Sequence, residues 1–279
     1  MFSIDHLVLP VLSLEGARQR LSALGFTIAT EAAHPFGTAN ACVFLADGIY
    51  LEPLAVANRA AYDAANQAGN VFTRNDRMFR EAVGDEGLSA IALESADAAA
   101  DHARFAGAGL SGGDMLEFSR PAKLPDGTEK TARFRLAFAA SDPGHGPAMF
   151  TCERVDPLPA DRRALERHAN GAVALSEVVV LLSPLDAAAA RMKTILETTA
   201  TGLEAGAMRL AGSNASLRLL ATDAADEGVA SSAVIVFRVG DLAVTRAVLA
   251  ANDVPFVQKG GRVVVAAAPG QGAVFAFEE

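Results

Sequence analysis

An α+β fold built from four βαβββ modules working in pairs is what this sequence predicts. Three observations carry that reading. A short apolar strand pattern is followed by one helix face and then by further strand patterns. That order occurs four times along 279 residues. Each unit is too small to bury its own sheet face, so units have to pair.

The first unit opens Ile4-Asp5-His6-Leu7-Val8-Leu9, which alternates like a strand. Leu14, Ala17, Leu21 and Leu24 then fall on one helical face, and Gly25 ends that helix. Residues 26–30, 41–46 and 49–56 are expected strands, the last two joined by an Asp47-Gly48 hairpin turn. His34-Pro35-Phe36-Gly37-Thr38-Ala39-Asn40 is expected as a connecting turn. The second unit has a strand at 88–93, a helix face of Ala99, Ala103, Ala106 and Leu110, and strands at 134–139 and 149–154. The third starts at 175–180, with a helix over 184–197 and strands at 207–210 and 216–221. The fourth starts at 232–236, with a helix over 242–251 and strands at 256–258, 262–266 and 273–278.

Two stretches interrupt the repeat. Residues 57–86 are polar and rich in Ala and Asn, and are expected as a helical insertion. Their Arg74, Arg77 and Arg80 are either a grip for an anion or a solvated helix face. Residues 112–133 carry Gly112-Gly113, Pro121 and Pro125-Asp126-Gly127 beside Arg120, Lys123, Lys130 and Arg133. They are expected as a long loop or hairpin over one sheet, of the kind that covers a site. Residues 156–170 link the halves, giving an N-terminal pair over 1–156 and a C-terminal pair over 171–279.

Composition narrows the function classes. A formal charge of −9 argues against nucleic acid as a partner. Cys42 and Cys152 have no CxxC or finger spacing, so a reducing cytoplasm suits the chain better than a disulfide framework. No basic stretch followed by an apolar one opens the chain, so no signal peptide is expected. The densest apolar run, 178–182, is far short of a membrane span. With no Trp and two Tyr, stacking platforms for bases or sugars are poorly supplied. A small-molecule substrate is the expected partner, and exposed sheet edges make a homodimer plausible.

The chain resembles the vicinal-oxygen-chelate superfamily, and more closely its glyoxalase-like domain proteins. The likeness rests on Ile4-Asp5-His6-Leu7-Val8, Leu24-Gly25-Phe26, His34-Pro35-x-Gly37-Thr38-Ala39-Asn40 and Tyr50-Leu51-Glu52. Phe150-Thr151-Cys152-Glu153 and His168-Ala169-Asn170-Gly171-Ala172 add to it. The module pattern covers nearly the whole chain, whereas the motifs lie mainly in the first module and the link. The resemblance implies two cupped mixed sheets, each made of two modules, with metal ligands on first and last module strands. His6 takes the first-strand place and Glu52 the last-strand place, with Glu153 as a third candidate. Ala90 is expected opposite His6 in the second module, Glu177 in that place in the third, and Ala233 in the fourth. The full ligand set is therefore not in register.

Imidazole and carboxylate suit Zn, Ni, Fe or Mn. An ion held by His6 and Glu52 would polarise two adjacent substrate oxygens while a carboxylate moves the proton. The alternative is that His6 and Glu52 form a buried hydrogen-bonded pair in a metal-free cavity. His34 would contact substrate from the cup. Thr38 and Asn40 would either bind substrate or hold the loop through its own backbone. Glu153 would be a ligand, a base or a solvent-facing side chain, because one step along a strand changes the face. Three functions follow: a metal-dependent lyase or isomerase on a small oxygenated metabolite, a metal-free binding protein, or an extradiol-type dioxygenase. The last expects a second His in matching place.

Overall fold

The computed structural model describes residues 1–123, 128–142, 146–156, 161–204, 206–222 and 233–279. At the centre of the first sheet, β1 (Ile4–Pro10) runs antiparallel to β6 (Ala90–Ser95). Each has the last strand of its own module as a parallel neighbour: β5 (Tyr50–Val56) beside β1 and β9 (Ala148–Arg154) beside β6. The edges are β2 (Ala32–Ala33), β3 (Thr38–Asn40) and β4 (Val43–Phe44) on one side. On the other they are β7 (Leu116–Lys123) and β8 (Glu129–Phe138). The order is β2-β3-β5-β1-β6-β9-β8-β7, with β4 also on β5.

The second sheet repeats this plan. Its centre is β10 (Ala172–Leu182) antiparallel to β14 (Ala233–Val239). Their parallel neighbours are β13 (Ser216–Ala221) and β17 (Val274–Glu278). β11 (Ala200–Glu204), β12 (Ala207–Ala211), β15 (Val257–Lys259) and β16 (Arg262–Val265) complete the order β11-β12-β13-β10-β14-β17-β16-β15. The four modules thus form two paired mixed sheets.

Alternation along the strands sorts the side chains. Leu7, Leu9, Ile91, Leu93, Val178, Val180, Ile235, Phe237, Phe275 and Phe277 belong to one continuous core shared by both sheets. The module helices α1 (Leu14–Ala23), α4 (Ala98–Gly107), α5 (Leu185–Leu196) and α6 (Leu242–Ala251) contribute Leu21, Phe105, Met192 and Leu249 to it. Phe26 joins the halves, its ring 5.1 Å from Phe237 and 6.1 Å from Phe277. Burying one such side chain contributes about 1.5–3 kcal/mol. The linker is fixed by Asn170, whose amide donates to Leu24 O at 2.8 Å while its oxygen accepts from Ala172 N. The opposite face of each sheet is a cup. Val8, Leu54, Ala90, Leu136, Phe138 and Phe150 line the first, and Val179, Val236 and Ala276 the second.

The insertion is helical: α2 (Arg59–Gln67) is capped by Asn58 and α3 (Val71–Ala82) by Asn70. Residues 112–133 include the β7–β8 hairpin, which lengthens the first sheet. Three local expectations are corrected. Residues 26–30 form no strand, because the linker ties them instead: Thr27 N donates to His168 Nδ1 at 3.0 Å and Thr27 Oγ1 to Arg167 O at 2.6 Å. The expected strand over 41–46 is only Val43–Phe44. Thr38–Asn40, expected in a turn, is strand β3; the turn is residues 34–37, closed by His34 N donating to Thr38 O at 2.8 Å. Among the described residues no helix is long and apolar enough to cross a membrane.

Candidate functional site

A β-bulge organises the floor of the first cup. Ile4 pairs with Leu93 and His6 with Ala92, so Asp5 is the extra residue. The bulge lets Ile4 and Leu7 both face the shared core while His6 turns into the cup. Ala92, not the expected Ala90, stands across from His6; Ala90 pairs with Val8. Tyr50 and Glu52 come from β5, and the Tyr50 ring stacks on His6 at 4.5 Å.

His34 is delivered by the turn before β3. Gly37 has φ +89°, and a side chain there would overlap Tyr62 N and Asn58 O at the start of α2. Only glycine lets the turn lie so close to that helix. Phe36 stacks on His34 at 5.0 Å. α3 adds Phe72, the hairpin adds Phe118, Arg120 and Phe134, and β9 adds Phe150 and Cys152. Together these walls leave a tight cavity of about 30 Å³ between them. A second small cavity, about 20 Å³, lies behind Phe72 and Phe150, lined by Val8, Leu54, Ala90 and Phe138 together with Asn75, Asp76 and Ser89. A wider cleft between the halves is taken up by Arg104, ion-paired to Asp101 and Glu197, and has no histidine among its lining residues.

The polar groups form one chain. Arg154 donates through both guanidinium Nη atoms to the two Asp5 oxygens, Nη2 to Oδ1 at 2.8 Å. Asp5 Oδ1 is 2.6 Å from His6 Nδ1, and His6 Nε2 is 3.4 Å from Glu52 Oε2. Asn40 Nδ2 donates to Glu52 Oε1 at 2.5 Å. His34 Nε2 is 3.8 Å from Glu52 Oε1 and 3.5 Å from Asn40 Nδ2. His34 Nδ1 lies 2.9 Å from Thr38 Oγ1. A proton on Nδ1, donated to Thr38, with Nε2 as acceptor satisfies both contacts. Arg120 reaches Asn40 Oδ1 at 3.5 Å and has no carboxylate within ion-pair distance among the described residues.

Burial alone would lower the His6 imidazole, but hydrogen bonds and charge from Asp5 and Glu52 outweigh it and raise it to about 9. Burial pushes Glu52 up, yet His6 and the Asn40 amide pull it down to about 2. Asp5 is held well below the usual carboxylate range against the same burial by His6 and Arg154. Burial, with charge from Arg120 and His6, outweighs the nearby Glu52 carboxylate and lowers His34 to about 4. The resting cup therefore holds charged His6 and Glu52 beside a neutral His34.

The structure brings His6, His34, Thr38, Asn40 and Glu52 together. It does not bring Glu153 to them: Cys152 is the inward residue, and Glu153 accepts from Ala98 N at 3.0 Å at the start of α4. In the fourth module the residue across from Glu177 is Val236; Ala233 pairs with Val180. Asp5, Arg154 and the phenylalanine walls escape a sequence reading. An Asp-His pair on a first strand is a signal for Asp5, but a terminal strand arginine carries none. The donor chemistry at His6 and Glu52 fits a divalent cation, and Asp5 orients His6 as outer carboxylates do for metal-bound imidazoles. Ala92 and Cys152 stand where the second module would add its share. Among the described residues no group of three or more His, Cys, Asp or Glu is arranged to hold an ion.

Paired βαβββ modules with an imidazole and a carboxylate in one cup define vicinal-oxygen-chelate architecture. The chain belongs to the glyoxalase-like domain family, whose model matches residues 4–196. No curated protein matches it. Among solved structures, a hypothetical protein from Staphylococcus aureus is similar over 100% of this chain and 99% of its own, with TM-score 0.70 and 13% identity. A mutant of 4-hydroxymandelate synthase from Streptomyces coelicolor is similar over 99% of this chain and 92% of its own, with TM-score 0.64 and 13% identity. The Mn(II)-bound glyoxalase from Novosphingobium aromaticivorans covers 99% of this chain and 82% of its own, with TM-score 0.55 and 11% identity. At these identities the likeness is one of fold.

Proposed function

We propose that the protein is a glyoxalase-like enzyme of lyase or isomerase type, acting in its first cup on a small anionic metabolite. The substrate would carry adjacent oxygens on an apolar or aromatic body. The observation that carries this reading is the convergence of His6, His34, Asn40 and Glu52 on one wall of an aromatic-lined chamber. Arg154, His6 and Arg120 against Asp5 and Glu52 leave that chamber one positive charge, which suits a carboxylate on the ligand. Phe36, Phe118 and Phe134 offer faces and edges to its body. His34, neutral with its Nε2 lone pair toward the carboxylate, is the proton acceptor; Asn40 fixes the distance between His34 and Glu52. His6 and Glu52 are the residues that would hold a divalent ion. Such an ion would supply Lewis-acid polarisation of the substrate oxygens.

The test is metal analysis and turnover of the full chain after soaking with Zn, Ni, Fe or Mn. Wild type should hold about one ion per chain and His6→Ala should hold none. Turnover of α-oxoaldehydes, hydroxy-keto acids or catechols should fall about 10²-fold or more in His34→Gln. No ion and no turnover in wild type would overturn the reading. A second reading, a metal-free binding protein, is supported by Ala92 and Cys152 in place of second-module ligands. It requires ligands of the same class to raise the melting temperature without ion or product.

A further inference from the structure

The second cup repeats the first strand for strand, and its polar residues have changed sign. The same bulge opens β10: Leu175 pairs with Phe237 and Glu177 with Val236, leaving Ser176 as the extra residue. Glu177 thereby takes the place of His6. In the first cup Val8 pairs with Glu52; in the second Val179 pairs with Arg218. Arg218 therefore takes the place of Glu52. A guanidinium stays protonated and cannot ligate a cation, so this cup has no counterpart of the His6–Glu52 pair.

What surrounds Arg218 points to the opposite kind of ligand. Leu217 and Leu219 face the shared core, which leaves Arg218 on the cup face beside Leu220 and Val179. Its partner across the β12–β13 pairing is Arg209, so two guanidinium side chains stand directly opposite each other. Like charges in that position destabilise a sheet. The described carboxylates of this face, Glu177 and Glu278, are already engaged. Arg262 Nε donates to Glu278 at 2.7 Å and its Nη2 to Glu177 at 3.5 Å, while Ser176 Oγ donates to Glu278 at 2.7 Å. Among the described residues Arg209 donates to Ser216 Oγ alone, at 3.1 Å. The Nε of Arg218 is buried with no acceptor among the described residues.

An arginine whose stem merely covers apolar surface keeps its head group in water. Arg218 instead has a donor shut away from water and unmet, a costly state for a charged group. Among the described residues, Arg209, Arg218 and Arg262 against Glu177 and Glu278 leave this face positive, in a chain whose formal charge is −9. A small oxyanion between Arg209 and Arg218 would meet the buried donor and cancel the facing charges together. Planar guanidinium forks match carboxylate and phosphate oxygens in this way. We infer that the second cup is a separate binding site for a small oxyanion, a carboxylate or phosphate group, held by Arg218 and Arg209.

Thermal unfolding of the full chain tests this, with inorganic phosphate in one arm and acetate in the other. Sodium chloride at equal ionic strength is the control. One of the two anions should raise the melting temperature saturably, by about 2–4 °C at ten times its dissociation constant. The arm that responds identifies the anion. Arg218→Met should abolish the rise, and Arg209→Met, at an exposed position, should weaken it even if Arg218→Met fails to fold. Arg120→Met, in the first cup, should leave it intact. No saturable rise with either anion, a rise that survives both Arg218→Met and Arg209→Met, or one lost in Arg120→Met would overturn the inference.

Discussion

His6 and Glu177 follow the same bulge on matching strands, yet they keep different company. His6 sits between two carboxylates, and the chain continues through Asp5 to Arg154 and through Glu52 to Asn40. Among the described residues Glu177 meets only the far end of Arg262, and Arg218 stands where a carboxylate stands in the first cup. The first cup is walled by Phe36, Phe72, Phe118, Phe134 and Phe150, whereas Val179, Val236 and Ala276 floor the second. The faces turned to the shared core tell the reverse story, because both halves fill it with the same kinds of apolar side chain. Packing constrains one face of each strand and leaves the other free to diverge. A module repeat therefore fixes where a site can be without fixing its chemistry.

The largest difference between the cups should appear when each loses one arginine. Arg154→Met leaves Asp5, whose side chain is 3% exposed, with His6 as its remaining charged partner, and should destabilise the protein by about 3 kcal/mol in urea unfolding. Arg262→Met frees Glu278, 29% exposed, and breaks the longer 3.5 Å contact to Glu177, and should cost less, about 1 kcal/mol. Equal losses would mean that the two networks are not buried to different degrees, and the comparison would break.

The pH dependence of stability should also belong to the first cup. An unfolded imidazole titrates near 6.5, and His6 holds its proton more tightly when folded. Its contribution is complete below pH 6.5 and is lost as pH rises through about 9. His34 is held neutral, so stability falls as pH drops from 6.5 through about 4. His168, lowered by burial, adds to that acid limb. Glu52, lowered from 4.5, contributes fully above that pH and loses its part as pH falls through about 2. Stability should peak near pH 6.5. His6→Gln should flatten the alkaline limb and His34→Gln the limb between 6.5 and 4, each by a few kcal/mol at most. An unchanged profile in both variants would remove the charge distribution assigned to the cup.

The repeat was legible because the shared core imposes period-2 alternation on every central strand and a 3.6-residue period on every module helix. The helix expected over 242–251 is Leu242–Ala251. Residues 26–30 misled because their apolar character serves the interface with the other half, through Phe26, and their backbone serves the linker. Gly37-Thr38 looked like one turn because Gly and Thr both favour turns, but a turn ending at Gly37 already satisfies the backbone. His6, His34, Asn40 and Glu52 stood out as polar residues among apolar ones. Arg154 and Arg218 did not, since an arginine ending or crossing a strand reads as solvent-facing until the bulge and the pairing register are known.

The smallest effect concerns the residue adjacent to the cup wall. Cys152 and Glu153 are neighbours on β9, and the pleat sends them to opposite faces: Cys152 to the cup, Glu153 to the N-terminus of α4. The backbone N–H groups of that helix end attract a carboxylate, and Arg135 Nη1, 3.7 Å away, adds a partly exposed ion pair. Glu153→Gln keeps an acceptor for Ala98 N but removes the charge. The loss should be about 0.3–1 kcal/mol in urea unfolding. The metal content and ligand response of the first cup should stay as in wild type, in contrast to Glu52→Gln, which removes the charge facing His6. If Glu153→Gln instead changed metal content as His6→Ala does, β9 would have to shift by one residue. Cys152 would then leave the wall, and Glu153 would become the second module's missing donor.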